Sequence, residues 1–343
     1  MSENKTIQAR DLTVSRGSRA AAIFKSWEMI LVYILIVINI VLMISRPALY
    51  FKAGTIQAII QSGMDVSPLV LGMILILMLG DIDVSCAATM IFASMCTGLA
   101  CQSGAPWIIG VLLGLLGGTA CGLFNGFLVA YIGMPAVIVT ISTSMLYRGI
   151  VEIVLDVNSL KVFPSFYTNL AWDSIGGVIP IALVIFLLMG LGFIYLLQMS
   201  RFGRTLYIIG NNPVCAQYSG IDVKKTKLKV FMLMGFMSGV ASIFFVGRMG
   251  GSVSSSMGTG YEMTAIAICV LGGVSTNGGR GKAIGPIIAT LIMANLTYTL
   301  GLMDVDANIR KIVTGVVLIA AILISNVREN AEKNSKKAAR KTK

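Results

Sequence analysis

The polar side chains that fall inside long apolar segments of this chain are the first candidates for chemistry. Polar side chains are costly to place in a hydrocarbon environment and are usually functional there. The sequence has seven such residues: Asp65, Asn125, Thr140, Ser142, Thr143, Glu262 and Asn295. Neutral hydroxyls and amides outnumber the carboxylates, so the set predicts a translocation path for a neutral, hydroxylated solute such as a sugar. Each residue taken singly also fits a hydrogen bond between two helices, and this alternative stays open.

Catalysis by the chain itself is not indicated. The sequence holds no histidine, which removes histidine acid–base chemistry and histidine metal ligands. Its six cysteines form no Cys-x-x-Cys pair, and their spacing requires neither a disulfide nor a metal. The glycine-rich segment 278–282 lacks the Gly-x-x-x-x-Gly-Lys-Ser/Thr pattern of a phosphate-binding loop. We therefore expect no catalytic residue, no metal site and no ATP hydrolysis on this chain.

The composition is that of a membrane protein. Hydrophobic residues make up 56% of the 343 residues and charged residues only 12%, about half the charged fraction of a soluble domain. The mean hydropathy is +0.85. The net charge of +12 is concentrated, because 20 of the 27 Lys and Arg residues lie at residues 1–26, 200–229 and 328–343 and at Arg280 and Lys282. This placement favours cytoplasmic segments over nucleic-acid binding, and the basic C-terminal tail is also suited to contact with anionic membrane lipid.

Ten apolar segments are long enough, or nearly long enough, to cross a bilayer, which takes about 20 residues per helix. We predict an all-α polytopic fold with about ten transmembrane helices, at residues 28–45, 55–79, 84–101, 106–132, 135–155, 175–198, 228–246, 259–274, 283–301 and 309–327. Pro68 is expected to kink the second span, and the short eighth span to be broken or re-entrant.

The span count also predicts the organisation of the chain. A cytoplasmic tail at 1–26 precedes a transmembrane domain at 27–328, and a basic cytoplasmic tail at 329–343 follows it. An even number of spans puts both termini in the cytoplasm, where basic segments remain.

Glycine interrupts the chain at related places. Two apolar runs end in Leu-Gly followed by a polar turn, one at Gly80 and one at Gly272. This similarity predicts a pseudo-repeat of two halves, as in many transporters, although chance resemblance between apolar segments also explains it. The structural turns are expected at Gly80, Asp83, Gly272, Gly273, Gly278 and Gly279. Close helix packing is predicted by small residues four apart, at Gly110, Gly114, Gly118 and Gly122.

The polar loop at about 199–229 separates two predicted spans. It carries six basic residues, so we expect it in the cytoplasm. Asn211, Asn212 and Pro213 indicate a helix start, because proline is tolerated in the first turn, and Gly220 is a suitable end for that helix. A short helix in such a loop is suited to docking on another protein. An ordinary basic connector is the alternative interpretation.

Three motifs together make the chain similar to a known family. The segment 80–85, Gly-Asp-Ile-Asp-Val-Ser, is similar to that family's Gly-Gly-Ile-Asp-Leu-Ser. The segment 210–221 looks like its cytoplasmic coupling segment, and 271–285 looks like its C-terminal glycine signature. Over roughly residues 28–327 the chain resembles the permease subunit of bacterial ABC importers for ribose, xylose, rhamnose, autoinducer-2 and related sugars. It departs from the family pattern at Asp81, where a second glycine is usual.

The resemblance implies an assembly of several chains in the bacterial inner membrane. Two permease subunits, identical or related, would form the pore, and an extracytoplasmic solute-binding protein would deliver the solute. Separate ABC ATPase subunits would bind ATP-Mg, so this chain would carry no cofactor. The resemblance assigns the ATPase-coupling role to Gly210, Asn211, Asn212, Pro213, Ala216, Ser219, Gly220 and Ile221.

A secondary transporter driven by an ion gradient is the alternative. It is motivated by the carboxylates of Asp65 and Glu262 within or near the spans, since intramembrane carboxylates often belong to ion pathways.

Overall fold

The computed structural model describes residues 27–45, 47–51, 54–155, 159–161, 163–177 and 179–306, with scattered positions between 309 and 323. Both predicted tails, 1–26 and 329–343, and most of the predicted span 309–327 lie outside the described residues.

The described chain forms fourteen α-helices, numbered here in order. They are α1 Trp27–Ser45, α2 Pro47–Tyr50, α3 Thr55–Met64, α4 Ser67–Met78, α5 Cys86–Gln102, α6 Trp107–Phe127, α7 Ala136–Leu155, α8 Ser165–Trp172, α9 Ile181–Ile194, α10 Arg201–Asn211, α11 Pro213–Tyr218, α12 Val223–Arg248, α13 Tyr261–Leu271 and α14 Ile284–Leu302. Two helices continue into π-helical turns, α6 into Leu128–Ile132 and α9 into Tyr195–Met199. Strands β1 Ser174–Ile175 and β2 Ile179–Pro180 form one antiparallel hairpin.

Six of these helices, α1, α6, α7, α9, α12 and α14, are long and apolar enough to cross a membrane. Helices α3 and α4 form a seventh candidate span that is bent by 42°. Helices α5 and α13 are apolar but shorter. Each of the first nine predicted spans therefore contains a helix, which confirms an all-α polytopic fold. The number of ten crossings stays a prediction.

The predicted kink of the second span is present, but it lies before the proline. Helix α3 ends at Met64, Asp65 and Val66 form the break, and Pro68 lies in the first turn of α4. A proline is tolerated there because the first N–H groups of a helix have no partner within the helix. All twelve residues of α4 are buried, so this helix is the centre of the bundle and its neighbours surround it.

The glycine spacing of α6 serves close helix packing, as predicted. A Cβ atom at Gly118 would lie 2.5 Å from the carbonyl oxygen of Gly235 and 3.0 Å from the amide nitrogen of Gly239, both on α12. At Gly122 a Cβ would lie 2.8 Å from the Cα of Gly235. The two helices therefore meet backbone to backbone, which only glycine allows.

Two short elements in the region between α7 and α9 were not predicted. Helix α8 occupies Ser165–Trp172, and the β1–β2 hairpin follows it. Consequently α9 begins at Ile181 rather than at residue 175, where the predicted span begins. The hairpin turn contains Gly176 and Gly177, both with positive φ, a conformation that favours glycine.

The bundle has two distinct ends, which long-range contacts define. At the end called here the basic end, Lys227 Nζ lies 2.6 Å from Asp81 Oδ2, and Tyr207 donates a hydrogen bond to the carbonyl of Gly281. At the opposite end, Leu160 pairs with Val253 in an antiparallel bridge. Eight of the eleven described Lys and Arg residues lie at the basic end.

Candidate functional site

The loop at the basic end is built from two consecutive helices. Ser200 caps the start of helix α10, because its side chain accepts a hydrogen bond from the amide of Gly203. It is amphipathic, with Gly203, Leu206 and Ile209 buried. This helix was not predicted, because the polar residues of 200–210 indicated a connector. Its signal in the sequence was the three-residue spacing of the buried positions.

Helix α11 begins and ends as predicted. The side chain of Asn212 accepts hydrogen bonds from the amides of Val214 and Cys215, both at 3.0 Å, which is the usual arrangement at a helix start. Ser219 follows the last helical residue, and Gly220 ends the segment with a φ of +79°.

The outward face of α11 is available to a partner. Ala216 is completely buried, and its carbonyl accepts a hydrogen bond from the amide of Ile221. Val214 and Tyr218, by contrast, are 60% and 90% exposed. Tyrosine is enriched among the residues that contribute most to protein–protein binding.

Asp222 connects α11 to α12. Its carboxylate accepts a hydrogen bond of 2.9 Å from the amide of Lys225 at the start of α12. This bond, with help from the Lys225 side chain, lowers the pKa of Asp222, so the carboxylate remains charged at neutral pH.

Three segments that are distant in sequence meet behind α11 at what we call the glycine junction: residues 78–80, 210–211 and 278–279. The amide of Gly279 donates to the carbonyl of Met78 at 2.9 Å. A Cβ atom at Gly210 would overlap this carbonyl and would lie 2.9 Å from the Cα of Gly279. A Cβ at Gly278 would lie 2.8 Å from the amide nitrogen of Gly80. The end of α10 thus rests directly on the end of the central helix α4.

Side chains of α10 hold the third segment of the junction in place. Asn211 donates to the carbonyl of Gly279 at 3.1 Å, and Tyr207 donates to the carbonyl of Gly281 at 2.6 Å. Burial raises the pKa of Tyr207, so its hydroxyl stays protonated and able to donate. The predicted turn residues Gly80, Gly278 and Gly279 all have positive φ, and together they form this junction.

The remaining predicted turns brace neighbouring helices. Gly272 leaves room for the backbone of Pro286 on α14, while Gly273 has a φ of +85°. Trp27, at the start of α1, donates to the carbonyl of Leu271 at 2.9 Å. Asp83 accepts hydrogen bonds from the amide and the hydroxyl of Ser85 at the start of α5.

A buried polar network joins α5, α6 and α7. Asn125 donates to the Ser85 hydroxyl at 2.7 Å and accepts from the Tyr147 hydroxyl at 2.9 Å. Thr140 is buried and donates to the carbonyls of Ile82 and Val137. Hydrogen bonds between helices therefore account for Asn125, whereas Thr140 is bonded to the turn before α5 and to its own helix.

Two other predicted translocation residues lie on α7. Thr143 is buried and donates to the carbonyl of Thr140. Ser142 is exposed on the outer surface and donates to the carbonyl of Ile138 on its own helix. The structure therefore does not bring Ser142 together with the others.

An ion pair lies near the opposite end, where α3 and α4 break. Asp65 is completely buried, and its Oδ2 accepts from Arg248 at 2.5 Å and from the Tyr261 hydroxyl at 2.7 Å. Arg248 ends α12 and Tyr261 begins α13. A single carboxylate therefore joins the break between α3 and α4 to two helices whose bound residues lie 183 and 196 residues further along the chain.

Neither Arg248 nor Tyr261 was among the site residues predicted from the sequence. Arg248 lies two residues beyond the predicted end of its span, and Tyr261 lies near the start of the predicted span 259–274. The available signal was the intramembrane carboxylate of Asp65, since such charged groups almost always pair with other polar groups. The sequence does not say which group.

The last two predicted translocation residues lie on α13 and α14. Glu262 accepts a hydrogen bond from the amide of Gly260 through Oε1, and its Oε2 is buried without a hydrogen-bond partner among the described residues. Asn295 is buried and accepts from Thr299 on the same helix. Between these two helices and α3 lies a cavity of about 450 Å³, with Arg248 in its wall.

Comparison with known proteins identifies the family. Residues 55–322 match the family model described as the branched-chain amino acid transport system / permease component. The D-allose transport system permease protein AlsC of Escherichia coli (strain K12) is 31% identical over 73% of this chain and 77% of its own length. The autoinducer 2 import system permease protein LsrC of Klebsiella pneumoniae subsp. pneumoniae is 30% identical over 88% of this chain and 87% of its own length.

A further relative, the autoinducer 2 import system permease protein LsrC of Yersinia pseudotuberculosis serotype O:1b, is 30% identical over 80% of this chain and 78% of its own length. No solved structure matches the chain. With a family match that extends over most of the helical bundle, and with relatives aligned over most of their own lengths, the chain belongs to the family of branched-chain amino acid transport system permease components.

Proposed function

We propose that this chain is the membrane-spanning permease subunit of an ABC importer, and that it carries a monosaccharide or a related polyol-like solute across the bacterial inner membrane. One observation supports the proposal most directly: α11 offers an exposed docking surface, and the glycine junction connects it to the buried central helix α4. The similarity to permeases of D-allose and autoinducer 2 transport systems supports the solute class.

The proposed assembly contains three further partners. An ABC ATPase subunit with ATP-Mg binds at α11 of each permease subunit, a second permease subunit completes the pore, and a solute-binding protein docks at the opposite end. ATP can change the relative stability of two conformations only if the docked helix interacts differently with each of them. Contacts of Val214 and Tyr218 with an ATPase groove provide such an interaction.

The proposed orientation puts the basic end and both termini in the cytoplasm, which follows the positive-inside rule. Cys215 on α11 provides the test, because it is the exposed cysteine of the described chain. A membrane-impermeant maleimide should leave Cys215 unlabelled in intact cells and should label it in permeabilised cells or inside-out vesicles. The variant Cys215→Ser is the background control, and labelling of Cys215 from the outside would reverse the topology.

The coupling role is tested at Gly220. This residue has a φ of +79° with no neighbouring atom within 4 Å, so Gly220→Val distorts the end of α11 without a clash. Gly104 has a φ of +80° and equally open surroundings at the opposite end, so Gly104→Val is the matched control. We expect Gly220→Val to insert normally but to lose ATPase binding and uptake, while Gly104→Val retains both. Normal uptake by Gly220→Val would remove the coupling proposal.

The energy source distinguishes this proposal from a secondary transporter. Asp65, which motivated the ion-gradient alternative, is paired with Arg248, so it does not stand ready to bind a driving cation. We expect uptake to continue when the proton and sodium gradients are collapsed at constant ATP. Loss of uptake under these conditions would favour the alternative.

A further inference from the structure

The segment 249–260 connects α12 to α13 at the opposite end of the bundle, and we call it the serine loop because four of its residues are serines. Arg248 lies directly before the loop and Tyr261 directly after it, and both bind the carboxylate of Asp65. Asp65 belongs to the break that precedes the central helix α4. A displacement of α4 therefore reaches both ends of the serine loop.

Arg148 holds the middle of the serine loop. It lies in the interior of α7, and its guanidinium donates hydrogen bonds to the carbonyls of Ser255 at 3.3 Å, Met257 at 3.2 Å and Gly258 at 3.5 Å. Charged side chains within membrane-spanning helices commonly pair with backbone carbonyls, and they often mark functional positions. A single side chain therefore attaches three carbonyls of one loop to a neighbouring helix.

The other contacts of the serine loop are few. Val253 is its completely buried side chain, and it pairs with Leu160 through two backbone hydrogen bonds of 3.0 Å. The four serines are half-buried or exposed. Segments with few buried apolar contacts open at a lower free energy than the helices around them. The loop should therefore separate from the bundle once its bonds to Arg148 are broken.

Glycines stand on both sides of the serines. Gly251 has a φ of 74° and Gly258 a φ of 66°, and hinges commonly consist of a few such loop residues that absorb changes in backbone angles. A Cβ atom at Gly258 would lie 3.1 Å from the terminal methyl group of Met90 on α5, so the loop packs closely against α5 as well as α7. The serines between the two glycines can therefore leave this position as a unit.

We propose that Arg148 is a positioning residue for transport: it holds the serine loop against α5 and α7 at the opposite end of the bundle, and the loop leaves this position in each transport cycle. The contact suits repeated release, because its bonds of 3.2, 3.3 and 3.5 Å are longer than the usual N–H···O distance of about 2.9–3.0 Å. The inference rests on the proposed function and goes beyond it by naming a segment that closes the bundle and the residue that holds this segment.

The first test measures the contact itself, on the full-length chain in lipid nanodiscs with the subunits that copurify with it, in a Cys215→Ser background. Ser255→Cys places a thiol in the loop and keeps the backbone carbonyl that Arg148 binds. Ile175→Cys is the matched control, because it lies on the exposed hairpin before α9 at the same end.

We expect Arg148→Met to speed maleimide labelling of Ser255→Cys at least fivefold and to change that of Ile175→Cys less than twofold. The Cys215→Ser parent gives the background from the remaining cysteines. An unchanged rate at Ser255→Cys would overturn the inference, and so would an equal rise at both positions, since that would show a general loosening of this end.

The second test shows whether the loop must move. Leu160 and Val253 form a hydrogen-bonded antiparallel pair, and the Cα atoms of such a pair lie about 5.5 Å apart, within the range of about 4.4–6.8 Å that a disulfide spans. Oxidation of Leu160→Cys with Val253→Cys therefore locks the loop in place. Ile175→Cys with Ile179→Cys, which pair within the hairpin, is the matched control lock.

Uptake is measured in proteoliposomes with the sugar, among D-allose, D-ribose, D-xylose and L-rhamnose, that the Cys215→Ser parent takes up fastest. We expect oxidation of the loop pair to lower uptake at least tenfold and reduction to restore it, while the control lock changes uptake less than twofold. Undiminished uptake by the oxidised loop variant, with the cross-link verified by mass spectrometry, would overturn the inference. If uptake by the parent follows ion gradients and not ATP, only the importer proposal fails, and the lock still tests the loop.

Discussion

The glycine junction at the basic end and the Asp65 cluster at the opposite end join the same central segment of the chain by different physical means. At the glycine junction, backbone meets backbone, and Gly210 leaves no room for a Cβ atom against Met78. At the Asp65 cluster, three side chains form an ion pair and a hydrogen bond around one buried carboxylate. The glycine junction contacts the last residue of α4, and the Asp65 cluster lies at the break that precedes α4.

This difference bears on how motion can pass between the ends. A backbone contact has no rotamers to absorb a displacement, so a movement of α10 is passed to the end of α4. An ion pair, in contrast, can break and re-form with alternative partners, and such discrete rearrangements underlie many conformational switches. The contacts are therefore rigid at the basic end and adjustable at the opposite end.

The largest effect is expected from leaving the Asp65 carboxylate without its partner. Arg248→Met strands a buried charge, and we expect it to lower the free energy of unfolding by about 3–5 kcal/mol. The double variant Asp65→Leu with Arg248→Met should recover most of this loss, because no charge is then buried. Denaturant or SDS titration of the purified protein measures both. Arg201→Met, at an exposed position, is the control, and an equal loss there would contradict the argument.

The glycine junction should respond to a single methyl group. Gly210→Ala places a Cβ against the backbone of Met78 and Gly279, and we expect a loss of about 1–3 kcal/mol from overpacking, together with impaired uptake. Gly192→Ala, in α9 with no atom within 4 Å, should instead gain about 0.5–1 kcal/mol, because alanine favours a helix interior. Unfolding titrations should therefore show effects of opposite sign, and a shared sign would refute the steric explanation.

A smaller but still measurable effect is expected from a substitution at the start of α11. Asn212→Ala removes the acceptor for two amides and should cost about 1 kcal/mol of local helix stability. Hydrogen exchange at residues 214–218 should accelerate, with little change in global unfolding. Asn212→Asp should restore the protection, since aspartate caps equally well. Unchanged exchange in Asn212→Ala would show that docking contacts, and not the cap, hold the helix.

The smallest effect is expected at the pair formed by Asp81 and Lys227, which is only partly buried, with exposures of 15% and 21%. Asp81→Asn should lower the free energy of unfolding by about 1 kcal/mol or less, and high salt should reduce the difference. A double-mutant cycle with Lys227→Met measures the coupling. A loss that does not depend on salt would indicate that the pair acts by packing.

Asp81 also explains a departure from the family pattern. The family pattern has glycine where this chain has Asp81, and the sequence alone did not show how a carboxylate is accommodated in the turn. In the structure, Asp81 pairs with Lys227 at the start of α12. The added carboxylate is therefore balanced by a cation 146 residues away.

The amino-acid sequence was sufficient for the features that depend on neighbouring residues. Hydropathy located a helix in each of the first nine predicted spans. The pair Asn212 and Pro213 located the start of α11, and the glycine spacing of α6 indicated a close helix contact. Each of these signals arises from local chemistry: transfer of apolar side chains, capping of free amides, or absence of a Cβ atom.

Contacts between distant segments required the folded chain. Asp65 was visible as a costly intramembrane carboxylate, but its partner Arg248 lies 183 residues away. The meeting of Met78, Gly210 and Gly279 was equally hidden, because a glycine gives no sign of which backbone will approach it. Of the seven polar residues chosen as a translocation path, Asn125 is buried and bonded to Ser85 and Tyr147 while Ser142 faces outward, because hydropathy does not report the direction of a side chain. The free energy of burying a side chain depends on its residue type, so it can be estimated from the sequence. Which side chains pair depends on their distance in space, and that distance is set only when the helices pack.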